Sequence, residues 1–442
     1  MARPLTLPSG IELSINEFRQ AIYAQGFKKR RDAQFELLDA LLMSAKVGAF
    51  PELTLSPVFR RRWSSGYKAI EEGTQDRAWM TRYLSRQIPG AKVQVFALDE
   101  TVWAHPQART LEEMLYERSP TKSIKRYSIV RGHPYSILAW IPDAGGSWAP
   151  PVDSRRVTAE VDAVDTGLQQ IKAMLEARQT AGFRSLHVIA MDGKYSNHRF
   201  KRGLASFKGV ASVGRTRCDR RLYRKPGPYK GRGRKDRKHG PAFAFKDPDT
   251  WGLPCEAVCF EHRKFGQVRL RRWDDLHDRQ DAVVEFSVIR CEVHLERELP
   301  PDPIWLEYLG PSGYDARTIW SWFQQRWAIE PANRFRKQAL HWTLPRFQQT
   351  ERCGRWTNLI DLAYWQLFLA RHWVRDFPLP WQAPQANPTP ERVLQSLGAH
   401  FTQLISPAQA PVTRGIPPGW PKGRLRDPPK RYETIRRSQK SA

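Results

Sequence analysis

The pattern of hydrophobic and polar positions predicts a helical start, a strand-rich middle and a helical end. Apolar residues recur at helical spacing over residues 11–24 and 33–43. From residue 92 apolar and polar positions alternate, which predicts a strand over 92–98 that ends at Asp99. The change of period near residue 88 marks the end of the helical N-terminal region.

Further elements alternate between strands and helices. The apolar runs predict strands over 134–140, 147–152, 186–191, 210–213, 268–271, 283–293 and 304–309, and helices over 156–179, 197–205, 355–374 and 390–405. The strand over 186–191 ends at Asp192. Carboxyl ends of neighbouring strands in an open sheet meet in one crevice, so we expect Asp99 and Asp192 to lie close together. An aspartate that closes a strand is also a common turn residue, and this alternative stays open for each of them.

Residues 321–340 predict one amphipathic helix that carries a carboxylate between two cations. Arg326 and Glu330 are four residues apart and share a face, and Lys337 lies two turns further along. Such an arrangement suits a metal ion beside a phosphate chain. A helix with an ordinary ion pair between neighbouring turns is the alternative.

The charge of the chain points to a polyanionic partner. The sequence has 72 Lys and Arg against 45 Asp and Glu, a formal net charge of +27, which favours nucleic acid as that partner. A membrane surface is the rival, but no segment is apolar and long enough to span a bilayer; residues 359–374 carry charges and predict a buried helix. The absence of a signal peptide core and the five cysteines predict a cytoplasmic protein without disulfides.

Basic residues cluster in three places. The densest run, 215–238, holds twelve Lys or Arg in 24 residues and predicts an extended loop on DNA phosphates, with a solvated loop as the alternative. Clusters at 28–31 and 60–62 are typical either of a DNA-binding helical module or of a solvated basic face. From residue 407 the chain is rich in Pro, Gly and basic residues, and we expect a poorly ordered arm.

Cysteine spacing gives little sign of a metal site. Cys255 and Cys259, with His262 nearby, match no strong zinc pattern, and no second pair follows. We therefore expect free thiols there.

Three carboxylates remain as candidates for chemistry: Asp99, Asp192 and Glu330. A two-metal phosphoryl-transfer site needs hard oxygen ligands for two Mg²⁺ ions about 3.5–4 Å apart. Three such acids leave a net positive charge on the loaded site, which can still attract a phosphodiester.

The motifs that hold these acids resemble those of a known family. The spacing of Phe323, Arg326, Glu330 and Lys337 resembles the Tyr-x2-Arg-x3-Glu-x6-Lys signature of DDE transposases from bacterial insertion sequences of group four, seven-zero-one-like branch. Shorter matching segments lie at 97–101, 108–112, 132–136, 191–195, 213–217 and 334–338, so that the resemblance covers roughly residues 55–430. The chain departs from the signature at Phe323, which lacks the tyrosine hydroxyl, and Pro331 directly follows Glu330, so we expect the helix to restart or kink there.

The resemblance implies an α/β fold with an RNase H-like catalytic core, a mixed sheet with flanking helices. The implied regions are a helical N-terminal DNA-binding domain (1–88), the core's first part (89–214), a basic β-rich insertion (215–300), the core's second part with the Glu-bearing helix (301–345), and C-terminal helices with a basic tail (346–442).

The resemblance also implies a site and its partners. Asp99, Asp192 and Glu330 would be catalytic and hold two Mg²⁺ ions, with Mn²⁺ as a substitute. The implied DNA contacts are Arg326 and Lys337 near the cut, with Phe323, Arg334, Arg215, Arg217, Arg220, Arg221, Arg224 and Lys225. Double-stranded DNA, as terminal inverted repeats and target, is the implied partner of a homodimer in the bacterial nucleoid, with no membrane.

The function implied is cleavage at element ends and joining of those ends to target DNA. The alternatives are a nuclease that cleaves without joining and a DNA-binding protein on the same scaffold. Trp251, Trp273 and Trp305 lie in the insertion region between Asp192 and Glu330, where one could stack on a flipped base, although core packing is the alternative for each.

Overall fold

A large mixed β-sheet runs through the molecule, with helices packed around it. The computed structural model describes residues 14–44, 46–118, 129–229, 237–294, 302–412, 423–425 and 427–436. The strands are β1 (Phe27–Lys29), β2 (Thr74–Gln75), β3 (Val93–Ala104), β4 (Leu115–Arg118), β5 (Ile129–Ile141), β6 (Pro151–Arg156), β7 (Leu186–Met191), β8 (Val210–Thr216), β9 (Arg221–Arg224), β10 (Ala242–Ala244), β11 (Glu256–His262), β12 (Gly266–Asp278), β13 (Asp281–His294) and β14 (Ile304–Leu309). The α-helices are α1 (Ile15–Ala21), α2 (Arg31–Met43), α3 (Trp63–Glu71), α4 (Arg77–Gln87), α5 (Ala163–Thr180), α6 (His198–Ala205), α7 (Ala316–Gln325), α8 (Ile329–Gln338), α9 (Thr350–Ala370) and α10 (Pro390–Leu397).

The centre of the sheet is built from five strands in the order β6, β5, β3, β7, β8. The first three pair antiparallel, and β3, β7 and β8 run parallel to one another. Helix α5 connects β6 to β7, and α6 connects β7 to β8. The side chains of Asp162 and Asn197 accept hydrogen bonds from backbone N–H groups in the first turns of α5 and α6, which fixes where these two helices begin.

Several predicted boundaries in this centre are wrong, including those of β6, predicted over 147–152 and found at Pro151–Arg156. The strand predicted to end at Asp99 continues to Ala104, because β5 remains its partner as far as the pair of Ala104 with Gly132. The helix predicted from residue 156 begins at Ala163, because β6 occupies the chain up to Arg156. By contrast, β7 has the predicted bounds.

The insertion after β8 extends the same sheet. Strand β14 pairs with β8, and the order continues through β13, β12, β9 and β10, with β11 on the edge of β12. The basic run is therefore not one extended loop: residues 215–216 belong to β8 and 221–224 to β9. Residues 230–236 of that run lie outside the described residues.

A second hydrophobic core lies under the insertion. Trp251, Trp273 and Trp305 are buried in it together with Phe243 and Leu222. The core-packing interpretation of the three tryptophans is confirmed. Their ring centroids lie 5.2–5.7 Å from one another, so these side chains stabilise the insertion.

Helix α9 packs against helices from both the N-terminal and the C-terminal parts of the described chain. It is buried along most of its length, and α1, α2, α3 and α10 pack against it. Arg19 of α1 reaches both Asp39 of α2, at 2.7 Å, and Gln366 of α9, at 2.6 Å, inside this helical layer. The N-terminal helices therefore share one continuous core with the C-terminal helix and the sheet.

Part of the C-terminal arm is held against the sheet. The backbone N–H groups of Tyr432 and Ile435 donate to the carbonyls of Arg109 and Met114, each at 2.9 Å. The Nε of Arg131 donates to Thr434 Oγ1 at 2.6 Å. For this stretch the expectation of an unordered arm is wrong. None of the described helices has the length and apolar character needed to cross a bilayer.

Candidate active site

Asp99 and Asp192 lie side by side on neighbouring parallel strands. The last paired residues of β3 and β7 are Leu98 and Met191, and the two aspartates are the next residue on each strand. Beyond this point β7 ends and the chain turns through a short 3-10 helix, Gly193–Tyr195, whereas β3 continues. The end of one strand beside the middle of another leaves Asp192 exposed and Asp99 in a recess, with 17% of its side chain exposed.

Glu330, which belongs to a distant part of the chain, lies near the two aspartates. The predicted single helix over 321–340 is two helices, α7 and α8, separated by a 3-10 turn at Arg326–Ala328. Pro331 lies in the first turn of α8, where its missing N–H costs nothing, so the expectation of a restart there is confirmed. The turn and both helices pack against β3.

Arg326 connects the two sides of the site. Its guanidinium donates to Glu330 Oε1 at 2.9 Å and lies 3.8 Å from Asp99 Oδ1. Only 16% of the Arg326 side chain is exposed, whereas Glu330 is 47% exposed. A buried cation therefore faces the carboxylates from within the protein.

The pKa of Asp99 is affected by burial and by the charged groups around it. Burial raises the pKa of Asp99 to about 6, Arg326 opposes this rise, and the charges of Asp192 and Glu330 reinforce it. The three predicted acids thus lie in one electrostatic neighbourhood. A carboxyl whose pKa is raised by burial and by two neighbouring acids is typical of functional sites.

Lys337 lies on the same face of β3. Its Nζ donates to Thr101 Oγ1 at 2.5 Å, and Thr101 is two residues beyond Asp99 on the strand. Burial lowers the pKa of Lys337 to about 8, Arg336 lowers it further, and Asp99 opposes the change. The two cations that the sequence predicts for this site therefore flank the acids.

The other predicted DNA contacts are distributed over a wider surface. Arg334 is exposed on α8, and Phe323 is half-buried against the main core. Arg215 and Arg221 are exposed on β8 and β9, while Arg217 pairs with Asp219.

Three further predicted contacts also make internal bonds. Arg220 pairs with Asp278 and donates to the Ser196 carbonyl, and Arg224 donates to the Trp251 carbonyl at 2.7 Å. Lys225 pairs with Glu285 at 2.7 Å. Arg220 and Arg224 therefore have a structural role in the insertion, whatever else they contact.

Two residues near the acids were not singled out by the sequence pattern. Lys194, two residues after Asp192, pairs with Glu100 of β3 at 2.6 Å. Trp327 lies in the turn beside Arg326 and is 56% exposed, with Lys264 Nζ 5.1 Å from its ring. The sequence pattern counts Trp327 among the apolar positions of a single helix. In the structure Trp327 lies in the turn between α7 and α8, and its ring is exposed.

Cys255 and Cys259 of the insertion are exposed. Cys255 precedes β11 and Cys259 lies within it. Neither belongs to a group of candidate metal ligands within the described part of the chain.

A comparison with protein families matches more than half of the chain. The model described as a DDE superfamily endonuclease matches residues 23–279, a segment that holds Asp99 and Asp192 and ends before Glu330. A comparison with curated proteins gives no match.

Proposed function

Because the chain belongs to the DDE superfamily endonuclease family, we propose that it is a transposase that cuts DNA at the ends of an insertion sequence. It then joins the freed 3′ ends to target DNA. The observation that carries the proposal is the pair of aspartates at matched positions of β3 and β7, with Glu330 and Arg326 beside them. The group-four motifs, in the seven-zero-one-like branch, favour transposition over simple hydrolysis.

The core that carries the acids is proposed to be RNase H-like. The strand order β6-β5-β3-β7-β8, with β6, β5 and β3 antiparallel and the rest parallel to β3, supports this. Strands β9–β14 then form an insertion between Asp192 and Glu330 that prolongs the sheet.

The donor set fits a divalent cation. Nucleases of this superfamily normally use divalent metal ions, and Asp99, Asp192 and Glu330 offer the hard carboxylate oxygens that Mg²⁺ prefers. Arg326 lies between Asp99 and Glu330 as a counter-ion, and burial, with smaller contributions from Asp192 and Glu330, raises the pKa of Asp99 despite this cation. We propose that the three acids hold two Mg²⁺ ions, with Mn²⁺ as a substitute. Bound there, the ions would supply charge stabilisation for the attacking and leaving oxygens.

The chain's own cations orient the DNA strand. Once bound cations neutralise the three carboxylates, Arg326 can donate from both Nη groups to a phosphate. Lys337, whose Nζ donates to Thr101, supplies a second positive charge. The exposed ring of Trp327 offers a flat face on which a base can stack.

A groove lined in part by Asn197 and His198, a few residues beyond Asp192, is proposed to supply further phosphate contacts. It has a volume of about 850 Å³, and its charged lining consists of Arg199, Arg217, Arg220, Arg221 and Arg279 with Asp219 and Asp278. Its position next to the loop after Asp192 suits a duplex that continues from the cleavage point. Terminal inverted repeats and target DNA are the proposed substrates, and the pairing of two ends is proposed to require a homodimer.

The test is an assay of labelled duplexes that carry the ends of the element, with a second plasmid as target. Transposition predicts Mg²⁺-dependent nicks at the element ends, followed by end–target products of higher mass. Nicks without joined products would favour the nuclease alternative. Binding without nicks, in Mg²⁺ and in Mn²⁺, would favour the DNA-binding alternative and contradict the proposal.

A further inference from the structure

A second group of potential metal ligands lies where β3, β5 and α9 meet. His105 directly follows β3, His133 lies in β5 opposite Trp103, and Cys353 lies near the start of α9. All three are buried, and their ligand atoms lie within 4.8 Å of one another. Six residues separate His105 from Asp99, roughly 20 Å along an extended strand. The group is therefore separate from the carboxylate site.

Each imidazole in this group has one ring nitrogen without a hydrogen-bond partner in the described part of the chain. His105 Nε2 and His133 Nδ1 are buried, and neither has a hydrogen-bond partner among the described residues. His133 Nε2 lies 2.9 Å from the Glu112 carbonyl, so it carries the proton and donates, leaving Nδ1 as the bare nitrogen. A backbone carbonyl that orients the far nitrogen is what metal-binding histidines usually have. Without a ligand, each bare buried nitrogen carries a desolvation cost that no hydrogen bond offsets.

The protonation states also suit metal binding. Burial lowers the pKa of His105 to about 3 and that of His133 to about 4, so both rings are neutral at physiological pH. Burial raises the pKa of Cys353 to about 12, while Arg156 acts in the other direction. A metal ion takes the place of that thiol proton. Arg156 is itself paired with Glu113 at 2.5 Å, which limits its repulsion of a cation.

We propose that His105, His133 and Cys353 bind one zinc ion that fastens the start of α9 to the β3–β5 edge of the sheet. Two imidazoles and a thiolate form a borderline-soft donor set that selects Zn²⁺ over Mg²⁺. Zinc bonds of about 2.0–2.3 Å hold tetrahedral ligands roughly 3.5 Å apart, so the three groups need to close by only about an ångström. Three protein ligands leave the fourth position to water.

The proposed role of the ion is structural. Glu112 already links the two sides, because its carbonyl accepts from His133 and its carboxylate lies 3.4 Å from the Thr350 backbone N–H in α9. Helix α9 in turn carries the packing of α1, α2 and α3. A zinc ion at its start would hold the helical layer against the sheet that bears Asp99.

The test measures bound metal and uses no DNA. Wild-type protein, purified under reducing conditions, is loaded with zinc, washed with Mg²⁺ and analysed by elemental mass spectrometry. We expect one zinc per chain in wild type and in Cys291→Ala, which removes a buried thiol of β13 instead. We expect at least a tenfold loss of bound zinc in Cys353→Ala and in His133→Asn, with folding checked by circular dichroism.

Cobalt substitution of the wild type gives a second readout that depends on no core substitution. A thiolate-to-cobalt charge-transfer band in the near ultraviolet is expected in wild type and in Cys291→Ala. Folded wild type that shows no such band and retains no zinc would overturn the proposal, as would equal zinc in Cys353→Ala. DNA cleavage does not enter either readout, so this proposal and the proposed transposase activity fail independently.

Discussion

Asp99 and Asp192 occupy matched positions on parallel strands but meet different surroundings. Asp99 is recessed beside Arg326, and its pKa is raised to about 6 by burial, whereas Asp192 is exposed where β7 ends. Their adjacency could be predicted from two aspartates that follow apolar runs. The contact of Arg326 with Asp99 could not, because it depends on where the turn between α7 and α8 packs on β3.

Protonation of Asp99 should control metal binding at the site. Only the carboxylate form binds a cation, and without metal this form predominates only above about pH 6. The apparent association constant for Mn²⁺ should therefore fall by up to about tenfold per pH unit below 6 and level off above it.

The measurement is a titration of free Mn²⁺ by electron paramagnetic resonance between about pH 5 and about pH 8, around the raised pKa. Asp99→Asn should bind weakly at every pH, and the control Asp249→Asn, at an exposed acid of the insertion, should follow the wild-type curve. Wild-type affinity that does not change below pH 6 would contradict this account of Asp99.

At the scale of elements, α6 is tied to the insertion by a buried ionic group. Lys201 Nζ lies 2.6 Å from Glu307 Oε2 of β14 and 2.8 Å from Asp278 Oδ2 of β12, with all three side chains almost fully buried. The same ammonium lies 3.9 Å from the centre of the Phe286 ring. Two strands of the insertion are thus joined to the helix that follows Asp192.

Loss of the Lys201 charge should destabilise the protein. Lys201→Met leaves two buried carboxylates without their main cation, and we expect a loss of about 3 kcal/mol, the lower end for breaking a buried pair, since Arg220 remains close. Thermal or urea unfolding measures the change. Lys172→Met is the control, because its pair with Glu176 is exposed and should be worth at most about 1 kcal/mol. An equal loss of unfolding free energy in Lys201→Met and Lys172→Met would show that the buried ionic group does not stabilise the insertion.

The elements that the sequence predicts well are those whose pattern is decided locally. Strand β7 is a buried apolar run closed by Asp-Gly, and α6 follows a capping asparagine, so both have the expected position. Strand β11 escaped prediction because it lies at a sheet edge, where its residues alternate between exposed and half-buried positions and no run of core residues marks it. The restart at α8 could be expected from Pro331, whereas the packing of the turn before it on β3 is a contact that no local pattern encodes.

At the scale of the whole molecule, one sheet carries both the acids and the basic insertion. The net charge of +27 predicts a nucleic-acid partner but does not say where it binds. The sheet order places β8 beside β7, and the groove is lined in part by Arg217, the residue that follows β8. The rest of the insertion joins this sheet through the pairing of β14 with β8, a contact between distant parts of the chain.

The most direct test of the central claim is strand cleavage by Asp192→Asn. The substitution is nearly isosteric at an exposed position, so folding and DNA affinity should match the wild type. The charge that would hold a metal ion is lost, and nicking of an end-bearing duplex in Mg²⁺ should fall by at least about 10²–10³-fold, the range for removing one preorganised charge-stabilising group. Asp249→Asn, measured in parallel with a gel-shift control of binding, should cleave at the wild-type rate. Cleavage by Asp192→Asn at the wild-type rate would remove Asp192 from the site and contradict the proposed mechanism.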